Sequence, residues 1–335
     1  MTFNEIWDEY MAHKIKRVKP STVAAYSVLW KQLKNDFGNI EIESITTKKA
    51  EKWAIDMLST VCRKTIEDRL TLLNNIIEYY AYEYEVAVSP IKRKYIRWPT
   101  INAEENEIDN VKTFSSQDIS AILLRIAQDP LPQNILVALM IGTGIRIGEA
   151  CALTYGNINT EKGTIEIKYT LERILTPETY NDADYERMNV RVIHKCRKST
   201  LILMPPKCKA SRRSVPIPNE LLKVLKKFMS VYPVNYFIGS NKFIPMEPRR
   251  LRVHYYNLLD TAGVTQKLNP HALRHTYATT LITSGVDIRT TAALLGHNDA
   301  STTLDVYSHA TAESKEKAMK ITVGKQFKSA LTKLS

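Results

Sequence analysis

The sequence predicts an α+β fold that is mainly α-helical and carries a small antiparallel sheet. Three observations support this prediction. Residues 1–88 place apolar side chains at helical spacing almost throughout, residues 163–218 contain short segments with strand character, and helical spacing returns from residue 219. A group of strands enclosed between helical segments is typical of an α+β arrangement.

The N-terminal segment predicts a bundle of helices. The stretch STVAAYSVLWKQLKNDFG follows Pro20, opens with a Ser-Thr cap, repeats apolar residues every three or four positions and ends at Gly38. The stretches TTKKAEKWAIDML and CRKTIEDRLTLLNNIIEYYAYEYE repeat this spacing. We therefore expect an all-helical domain at residues 1–100.

A polar segment follows the helical bundle. Pro90, Pro99 and the acid-rich stretch NAEENEIDN at 102–110 lack apolar periodicity, which is typical of a linker between domains. We expect this linker at residues 101–112.

The second domain is predicted to begin with a capped helix. In SSQDISAILLRIA, Ser115 or Ser116 caps the helix and Asp118 lies in its first turn. The stretch NILVALMIGTGIRIGEACALTYGNI then predicts a buried helix, a glycine break and a second short helix. Four strand-like segments follow: GTIEIKYT, NVRVIHK, STLILM and RRSVPIP. The later helices are expected at 219–230, 248–262, 270–284, 287–295 and 299–308, with a tail near 313–331.

The charge of the chain is unevenly distributed. Its 335 residues include 47 Lys and Arg against 35 Asp and Glu, a formal net charge of +12. Residues 1–112 hold 17 charges of each sign, so residues 113–335 carry the whole excess. Within the neutral part, every charged residue between Glu9 and Asp36 is basic. Such a surplus is typical of a surface that binds a polyanion, although lysines also serve solubility alone.

Composition also indicates a compartment. The four cysteines are scattered without a C-x-x-C pair, which fits a reducing cytoplasm and disfavours a zinc knuckle or redox motif. The opening MTFNEIWDEY lacks the basic and apolar segments of a signal peptide, and the apolar segment ILVALMI is too short to cross a membrane. We expect a cytoplasmic protein.

Two common cofactor motifs are incomplete. His271 and His275 lie four residues apart on one predicted helix, as zincin ligands do, but Ala272 stands where that motif needs a glutamate. The stretch GTGIRIG places Ile147 where a dinucleotide-binding loop needs its third glycine. We therefore expect neither a metal nor an organic cofactor.

The segment around His271 fits a phosphate site better. Asn269 is predicted to cap the helix and Pro270 to be its first residue, which places His271 in the first turn and Arg274 on the same face. A helix N-terminus, an imidazole and a guanidinium together bind anions well. A structural pair, with Arg274 bound to an acid, fits these residues equally well.

A second arginine favours the anion interpretation. Arg146 follows the glycine break, and Glu149, three residues later, can hold its guanidinium while other donors remain for a ligand. An ordinary surface ion pair is the alternative, but the surrounding stretch ALMIGTGIRIGEACAL is apolar.

Two further segments contain candidate catalytic groups. The stretch PPKCKASRRSVPIP predicts a basic hairpin, which is either a solvated loop or the source of a lysine for DNA or for a leaving oxygen. The stretch LLGHNDASTTLDVYSHA places Tyr307 ten residues after His297. A phenol has a pKa of about 10, and nearby cations would favour its phenolate. The basic residues of the hairpin are Lys207, Lys209, Arg212 and Arg213.

In this order, the motifs resemble those of the tyrosine recombinases, the integrase family of phages and conjugative transposons. Arg146 in GTGIRIGE, a lysine in a hairpin before RRSVP, and the stretches HALRH, LLGH and TTLDVYSH match the active-site set of six residues over 113–310. The resemblance implies a catalytic domain at 113–310 and, in the helical N-terminal domain, a core-binding domain that clamps DNA.

The resemblance also implies the covalent chemistry. Tyr307 attacks the scissile phosphate, which leaves a 3′-phosphotyrosyl bond and a free 5′-hydroxyl. Lys207 protonates the leaving 5′-oxygen, and it is preferred over Lys209 because family hairpins place this lysine just before the turn. The bond energy stays in the protein–DNA ester, so neither ATP nor a metal is required.

Four other residues are implied to bind the phosphate. Arg146 and Arg274 clasp its non-bridging oxygens, while His271 and His297 donate hydrogen bonds to it. His271 is also suited to move the proton of the tyrosine. Double-stranded DNA recombination sites are thus the implied partner, with DNA-bending accessory factors as further candidates.

The ends of the chain and its insert carry further expectations. Residues 311–335 have apolar residues spaced by three or four, which predicts a partly amphipathic tail, and the family implies that this tail contacts the next protomer of a tetramer on DNA.

Since residue 1 opens into the core-binding helices, we do not expect arm-type DNA sites. A long segment at 170–200 favours the integrase of a mobile element over an Xer-like resolvase. A type IB topoisomerase and a non-catalytic DNA-binding regulator stay as alternatives.

Overall fold

The computed structural model describes residues 1–88, 91–99, 112–175, 182–187, 189–206, 211–232, 237–240 and 244–297. In these ranges no helix combines the length and apolarity that a membrane crossing requires. The chain divides into two compact units: Met1–Glu107 with Ile174–Met188 and His194–Thr200, and Ile108–Arg173 with Asn189–Ile193 and Leu201–Ser335. The predicted linker at 101–112 lies almost entirely outside the described residues, so the domain bounds stay a prediction.

Residues 1–88 form a helical bundle, as the apolar spacing indicates. The bundle packs through α1 and α2, which both contact α4, and through a stacked pair, Trp7 and Trp30, whose ring centroids are 4.6 Å apart. The apolar faces of all its helices bury one continuous core. The four helices are α1 (Phe3–Ile15), α2 (Pro20–Phe37), α3 (Thr47–Met57) and α4 (Arg63–Glu83).

The predicted cap of α2 is wrong. The helix begins at Pro20, with Lys19 as its N-cap residue, so Ser21 and Thr22 lie inside the first turn. Proline is well suited to this position because its φ is already helical and its missing N–H has no partner in a first turn. A side-chain cap is therefore not needed to start the helix.

The helices of the second part of the chain follow the predicted order. Ser115 caps the first of them in a capping box with Asp118, as expected. The segment at 182–187 forms a short helix that the sequence does not predict, and the helix predicted at 299–308 and the tail near 313–331 lie outside the described residues. The observed helices are α5 (Ser116–Gln128), α6 (Pro132–Thr143), α7 (Ile147–Cys151), α8 (Asp182–Arg187), α9 (Asn219–Val231), α10 (Pro248–Thr261), α11 (His271–Thr283) and α12 (Ile288–Leu295).

The strands form two small sheets rather than one. The first sheet has the order β1-β2-β6, and both of its pairs are antiparallel, with Ile165 opposite Val215 and Ile167 opposite Arg213. The second has the order β3-β5-β4. Mainly helical structure with small sheets confirms the predicted fold class. The strands are β1 (Ile158–Asn159), β2 (Thr164–Ile167), β3 (Thr170–Leu175), β4 (Arg191–Cys196), β5 (Ser199–Met204) and β6 (Arg213–Pro216).

Helix α6 lies at the centre of the second unit. Its sequence is apolar on every side, and it packs against α5, α7, α9, α10 and α11. The helix ends at Thr143, its C-cap residue Gly144 has a left-handed φ of +64°, and the chain then turns into α7. This is the predicted order of buried helix, glycine break and short helix.

We expect Gly144→Ala to destabilise the second unit strongly. A Cβ atom at Gly144 would lie about 3.0 Å from Leu295 Cδ2 and would overlap the ring of Tyr277. The left-handed backbone costs about 1–2 kcal/mol for a residue with a Cβ, and overpacking adds roughly 1–3 kcal/mol. Chemical denaturation should show the loss in the free energy of unfolding.

Gly263→Ala is the matched control for this substitution. Gly263 has a similar φ of +73°, but a Cβ there would have no neighbour within 4 Å. Only the backbone cost of about 1–2 kcal/mol should appear. Equal losses for the two variants would contradict the packing argument.

Candidate active site

The glycine turn places Arg146 at the start of α7. Arg146 is the N-cap residue of this helix, and its backbone N–H donates to Glu149 Oε2 at 3.0 Å. Its Nη1 donates to Glu149 Oε1 at 2.9 Å. The carboxylate therefore fixes both the main chain and the guanidinium of Arg146, as the spacing of three residues indicates. The Arg146 side chain is 37% exposed, whereas that of Glu149 is 4% exposed.

A second arginine binds the same carboxylate. Arg213, the first residue of β6, donates from Nη1 to Glu149 Oε1 at 3.2 Å and from Nη2 to Glu149 Oε2 at 3.0 Å. Burial by itself would raise the pKa of Glu149, but the hydrogen bond and charge of Arg213, together with Arg146, lower it below its usual range. Glu149 is thus an anion that two cations share.

Arg274 is buried and binds main-chain oxygens instead of an acid. Its Nη1 donates to the carbonyl oxygen of Gly144 at 2.9 Å and its Nη2 to that of Leu295 at 2.7 Å. The side chain therefore connects the turn before Arg146 with the end of α12. Burial and the nearby charge of Arg146 lower the pKa of Arg274 to about 9, so the guanidinium stays charged at neutral pH.

His271 begins α11 on the same helix as Arg274. The helix starts one residue later than predicted, with Pro270 as the N-cap residue, and Asn269 Oδ1 accepts a hydrogen bond from the His271 amide at 2.9 Å. The His271 ring meets the His275 ring edge to face, with centroids 4.6 Å apart. Desolvation, followed by the charges of His275 and the arginines, lowers the pKa of His271 to about 4, although the residue keeps an exposed face.

His297 follows the end of α12. Gly296 closes that helix with a φ of +69°, and the His297 amide donates to the carbonyl oxygen of Ala292 at 3.0 Å. Burial lowers the pKa of His297 to about 4, and Arg274, Arg146 and His271 act in the same direction. Arg274, one turn after His271, binds Gly144 O two residues before Arg146 and Leu295 O two residues before His297, so the four groups belong to one region.

The arrangement suits a bound anion. Of three guanidinium groups in this region, those of Arg146 and Arg213 share the carboxylate of Glu149, whereas that of Arg274 binds main-chain oxygens, so positive charge exceeds negative charge among these groups. At neutral pH both imidazoles are uncharged, and each can donate one N–H or accept one proton. A phosphate diester is the kind of group that such donors bind.

The structure brings together four of the six candidate catalytic residues predicted from the sequence. Arg146, His271, Arg274 and His297 belong to one connected region, while Lys207 and Tyr307 lie outside the described residues. Tyr277 packs beside Gly144, and burial raises the pKa of its phenol. No set of three His, Cys, Asp or Glu side chains that could hold a metal occurs in the described ranges.

Arg213 belongs to the site, although the sequence motifs assign it no role there. One feature of the sequence does indicate burial of Arg213. Arg213 and Val215 lie two residues apart in a strand, so their side chains share a face, and the apolar Val215 marks that face as the buried one. The structure buries both on this face. The partners of Arg213 come from segments far apart in the chain, so the pattern alone does not indicate them.

The model of the phage integrase family matches residues 112–314, more than half of the chain. The chain belongs to the phage integrase family. The N-terminal SAM-like domain of phage integrases matches residues 2–58 as well. These matches confirm the resemblance to the tyrosine recombinases, and with it the predicted enzyme class, the site-specific DNA recombinases.

Named relatives of this integrase-family chain include recombinases and a phage integrase. A XerC-like tyrosine recombinase of Caldanaerobacter subterraneus subsp. tengcongensis is 31% identical over 271 residues, which cover 76% of this chain and 65% of that protein. The integrase of Staphylococcus phage L54a is 24% identical over 340 residues, which cover 93% of this chain and 89% of that protein.

Solved structures of integrases share the fold. The Tn1549 transposon integrase in complex with transposon right end DNA aligns with a TM-score of 0.74 at 19% identity, over 96% of this chain and 99% of that one. A lambda integrase tetramer bound to a Holliday junction aligns with a TM-score of 0.61 at 14% identity, over 90% of this chain and 77% of that one.

We expect the free protein to keep His271 and His297 uncharged down to mildly acidic pH. Each pKa is lowered from 6.5 to about 4 in the folded state, so the unfolded chain takes up protons first as the pH falls. The contribution to stability is therefore complete above pH 6.5 and is lost between pH 6.5 and 4. Imidazole ¹⁵N NMR titration measures both pKa values directly.

Single substitutions to glutamine assign the two signals. His271→Gln and His297→Gln should each remove one low-pKa titration. Each variant should also lose less unfolding free energy between pH 6.5 and 4 than the parent protein, because it lacks one titrating group. Titration of both imidazoles near pH 6.5 in the free protein would contradict this picture of the site.

Proposed function

We propose that the chain cuts and rejoins DNA at specific sites through a covalent 3′-phosphotyrosyl intermediate. The observation that carries the proposal is the position of Arg274, which binds Gly144 O and Leu295 O and so joins the segments of Arg146 and His297 around the start of α11. Family membership supports the same reaction.

The proposed phosphate site consists of four groups. Arg146 retains donors beyond its bond to Glu149, and Arg274 retains donors beyond its two carbonyl bonds, so both can bind the non-bridging oxygens. His271 and His297, uncharged in the free protein, donate to the same phosphate. As negative charge grows in the pentacoordinate transition state, these fixed donors stabilise it without rearrangement.

The proposed nucleophile is Tyr307 and the proposed acid is Lys207. The phenolic oxygen forms a bond to phosphorus while the bond from phosphorus to the 5′-oxygen breaks. His271 accepts the phenolic proton, and the Lys207 ammonium donates a proton to the departing 5′-oxygen. Attack by a 5′-hydroxyl from another strand reverses each step and rejoins the DNA.

The proposed partner is double-stranded DNA at recombination sites. The +12 net charge carried by residues 113–335 supports it, because phosphate contacts supply most of the affinity of such proteins.

We also propose a cytoplasmic location, a tetramer on DNA with monomers when free, and contacts between protomers through residues 311–335. The lambda integrase tetramer supports this assembly. Sedimentation of the protein with and without a duplex measures the number of protomers in each state.

Integration or excision of a mobile element is the proposed role. The phage and transposon integrases to which the chain is similar support this role. A second candidate is an Xer-type resolvase, which the XerC-like relative at 31% identity favours. Recombination assays on plasmids that carry the DNA flanking the gene distinguish the two, since an element inserts or excises whereas a resolvase separates fused replicons.

We expect Tyr307→Phe to bind DNA normally and to form no covalent adduct. The substitution removes only the phenolic oxygen, so phosphate contacts remain while the nucleophile is lost. A suicide duplex, from which the short cleaved strand diffuses away, traps the adduct of the parent protein for gel analysis. Tyr277→Phe is the control. An adduct that persists in Tyr307→Phe and disappears in Tyr277→Phe would move the nucleophile to Tyr277.

We expect a 5′-phosphorothiolate substrate to rescue Lys207→Ala. A sulfur leaving group departs without a proton, so the reaction no longer needs the lysine acid. On the normal substrate the variant should lose roughly 10²–10⁴-fold in cleavage rate, as for removal of a general acid. Lys209→Ala is the matched control and should cleave both substrates alike. Rescue confined to Lys209→Ala would assign the acid to Lys209.

A further inference from the structure

Arg213 has no role in the proposed reaction, yet its side chain makes four hydrogen bonds within the described part of the chain. Its side chain is 6% exposed. Its Nε donates to Leu294 O at 2.7 Å, its Nη1 to Ser211 O at 3.2 Å, and Nη1 and Nη2 together bind the Glu149 carboxylate. The guanidinium therefore joins β6, α7 and the end of α12.

We infer that Arg213 is a positioning residue for strand cleavage, which orients Arg146 through Glu149 and holds the end of α12 that leads to His297. That the chain cleaves DNA strands rests on the proposed function. The hydrogen bonds that define the positioning role belong to the structure and do not rest on that proposal.

The donors of Arg213 are nearly all used. An arginine side chain has five N–H donors, and four of them are accounted for by Leu294, Ser211 and the two oxygens of Glu149. With one donor left, Arg213 has little capacity to bind a DNA phosphate directly. Arg146 differs, because Glu149 is the partner of its guanidinium within the described residues and its other donors remain for a ligand.

The link to Arg146 passes through the carboxylate. Each Glu149 oxygen accepts one hydrogen bond from Arg146 and one from Arg213. Without Arg213 each oxygen loses one of its two donors, and the hydrogen bonds from Arg146 alone hold the carboxylate. The Nη1 of Arg146 then loses a fixed partner, and a displaced guanidinium binds the transition state less well.

The link to His297 passes through the end of α12. The last carbonyl groups of a helix have no partner within it. Arg213 binds Leu294 O, Arg274 binds Leu295 O, and the Ser211 hydroxyl donates to Gly296 O at 3.4 Å. Two arginines and a serine thus fix the three residues that precede His297.

Arg213→Lys is the test variant, since it keeps a positive charge beside Glu149. A single ammonium cannot reach both carboxylate oxygens, Leu294 O and Ser211 O at once. We expect single-turnover cleavage of a suicide duplex at saturating DNA to fall about 10–100-fold, the usual effect of losing a group that orients a functional residue. The exposed neighbour Arg212→Lys is the matched control and should cleave at the parental rate at saturating DNA.

A second measurement does not depend on cleavage. In ¹⁵N-labelled free protein, the Arg146 guanidinium should rotate slowly about its Cζ–Nε bond, and Arg213→Lys should speed that rotation while Arg212→Lys leaves it unchanged. If the parent protein forms no adduct but this change occurs, the proposed function fails and the positioning role stands.

The inference is overturned if folded Arg213→Lys keeps both the parental cleavage rate and slow rotation of Arg146. If Arg213→Lys does not fold, Glu149→Asp replaces it, because the shorter carboxylate cannot reach both arginines. Unchanged rotation of Arg146 in Glu149→Asp overturns the inference equally.

Discussion

The guanidinium of Arg274 determines how the other groups of the site are arranged. It donates to Gly144 O at the end of α6 and to Leu295 O at the end of α12. Both oxygens belong to helix C-termini, where carbonyl groups have no partner within the helix and the helix dipole is negative. A buried cation therefore satisfies two helix ends at once, and α11, which carries it, is held against both.

The rest of the site follows from that contact. Because Gly144 O is fixed, the turn after it directs Arg146 and Glu149 into the same region, and because Leu295 O is fixed, His297 follows at a set place. Glu149 then links Arg146 to Arg213. A carboxylate buried with a single cation would carry a large desolvation cost, and two arginines that together donate four hydrogen bonds offset it.

Much of this arrangement could be predicted from the sequence, and the remainder could not for a physical reason. The helix of apolar residues before Gly144 and the spacing of Arg146 from Glu149 are local features, so periodicity and turn chemistry predict them. The start of α2 differs from the predicted one because a proline at its first position takes the place of a side-chain cap. The carbonyl partners of Arg274 and Arg213 are main-chain atoms of segments far away in the chain, and a carbonyl oxygen has no residue type that a sequence pattern can reveal.

The shared carboxylate has a consequence for the energetics of the free protein. Three guanidinium groups lie in a region where the carboxylate of Glu149 bonds to two of them, and two imidazoles stay uncharged beside them. These like charges oppose folding as long as no anion lies between them. An anion that binds only the folded chain removes this repulsion and raises the free energy of unfolding according to its concentration and affinity. The backbone of a nucleic acid would then act as a component of the fold, and the arrangement that weakens the isolated protein would be the source of its affinity.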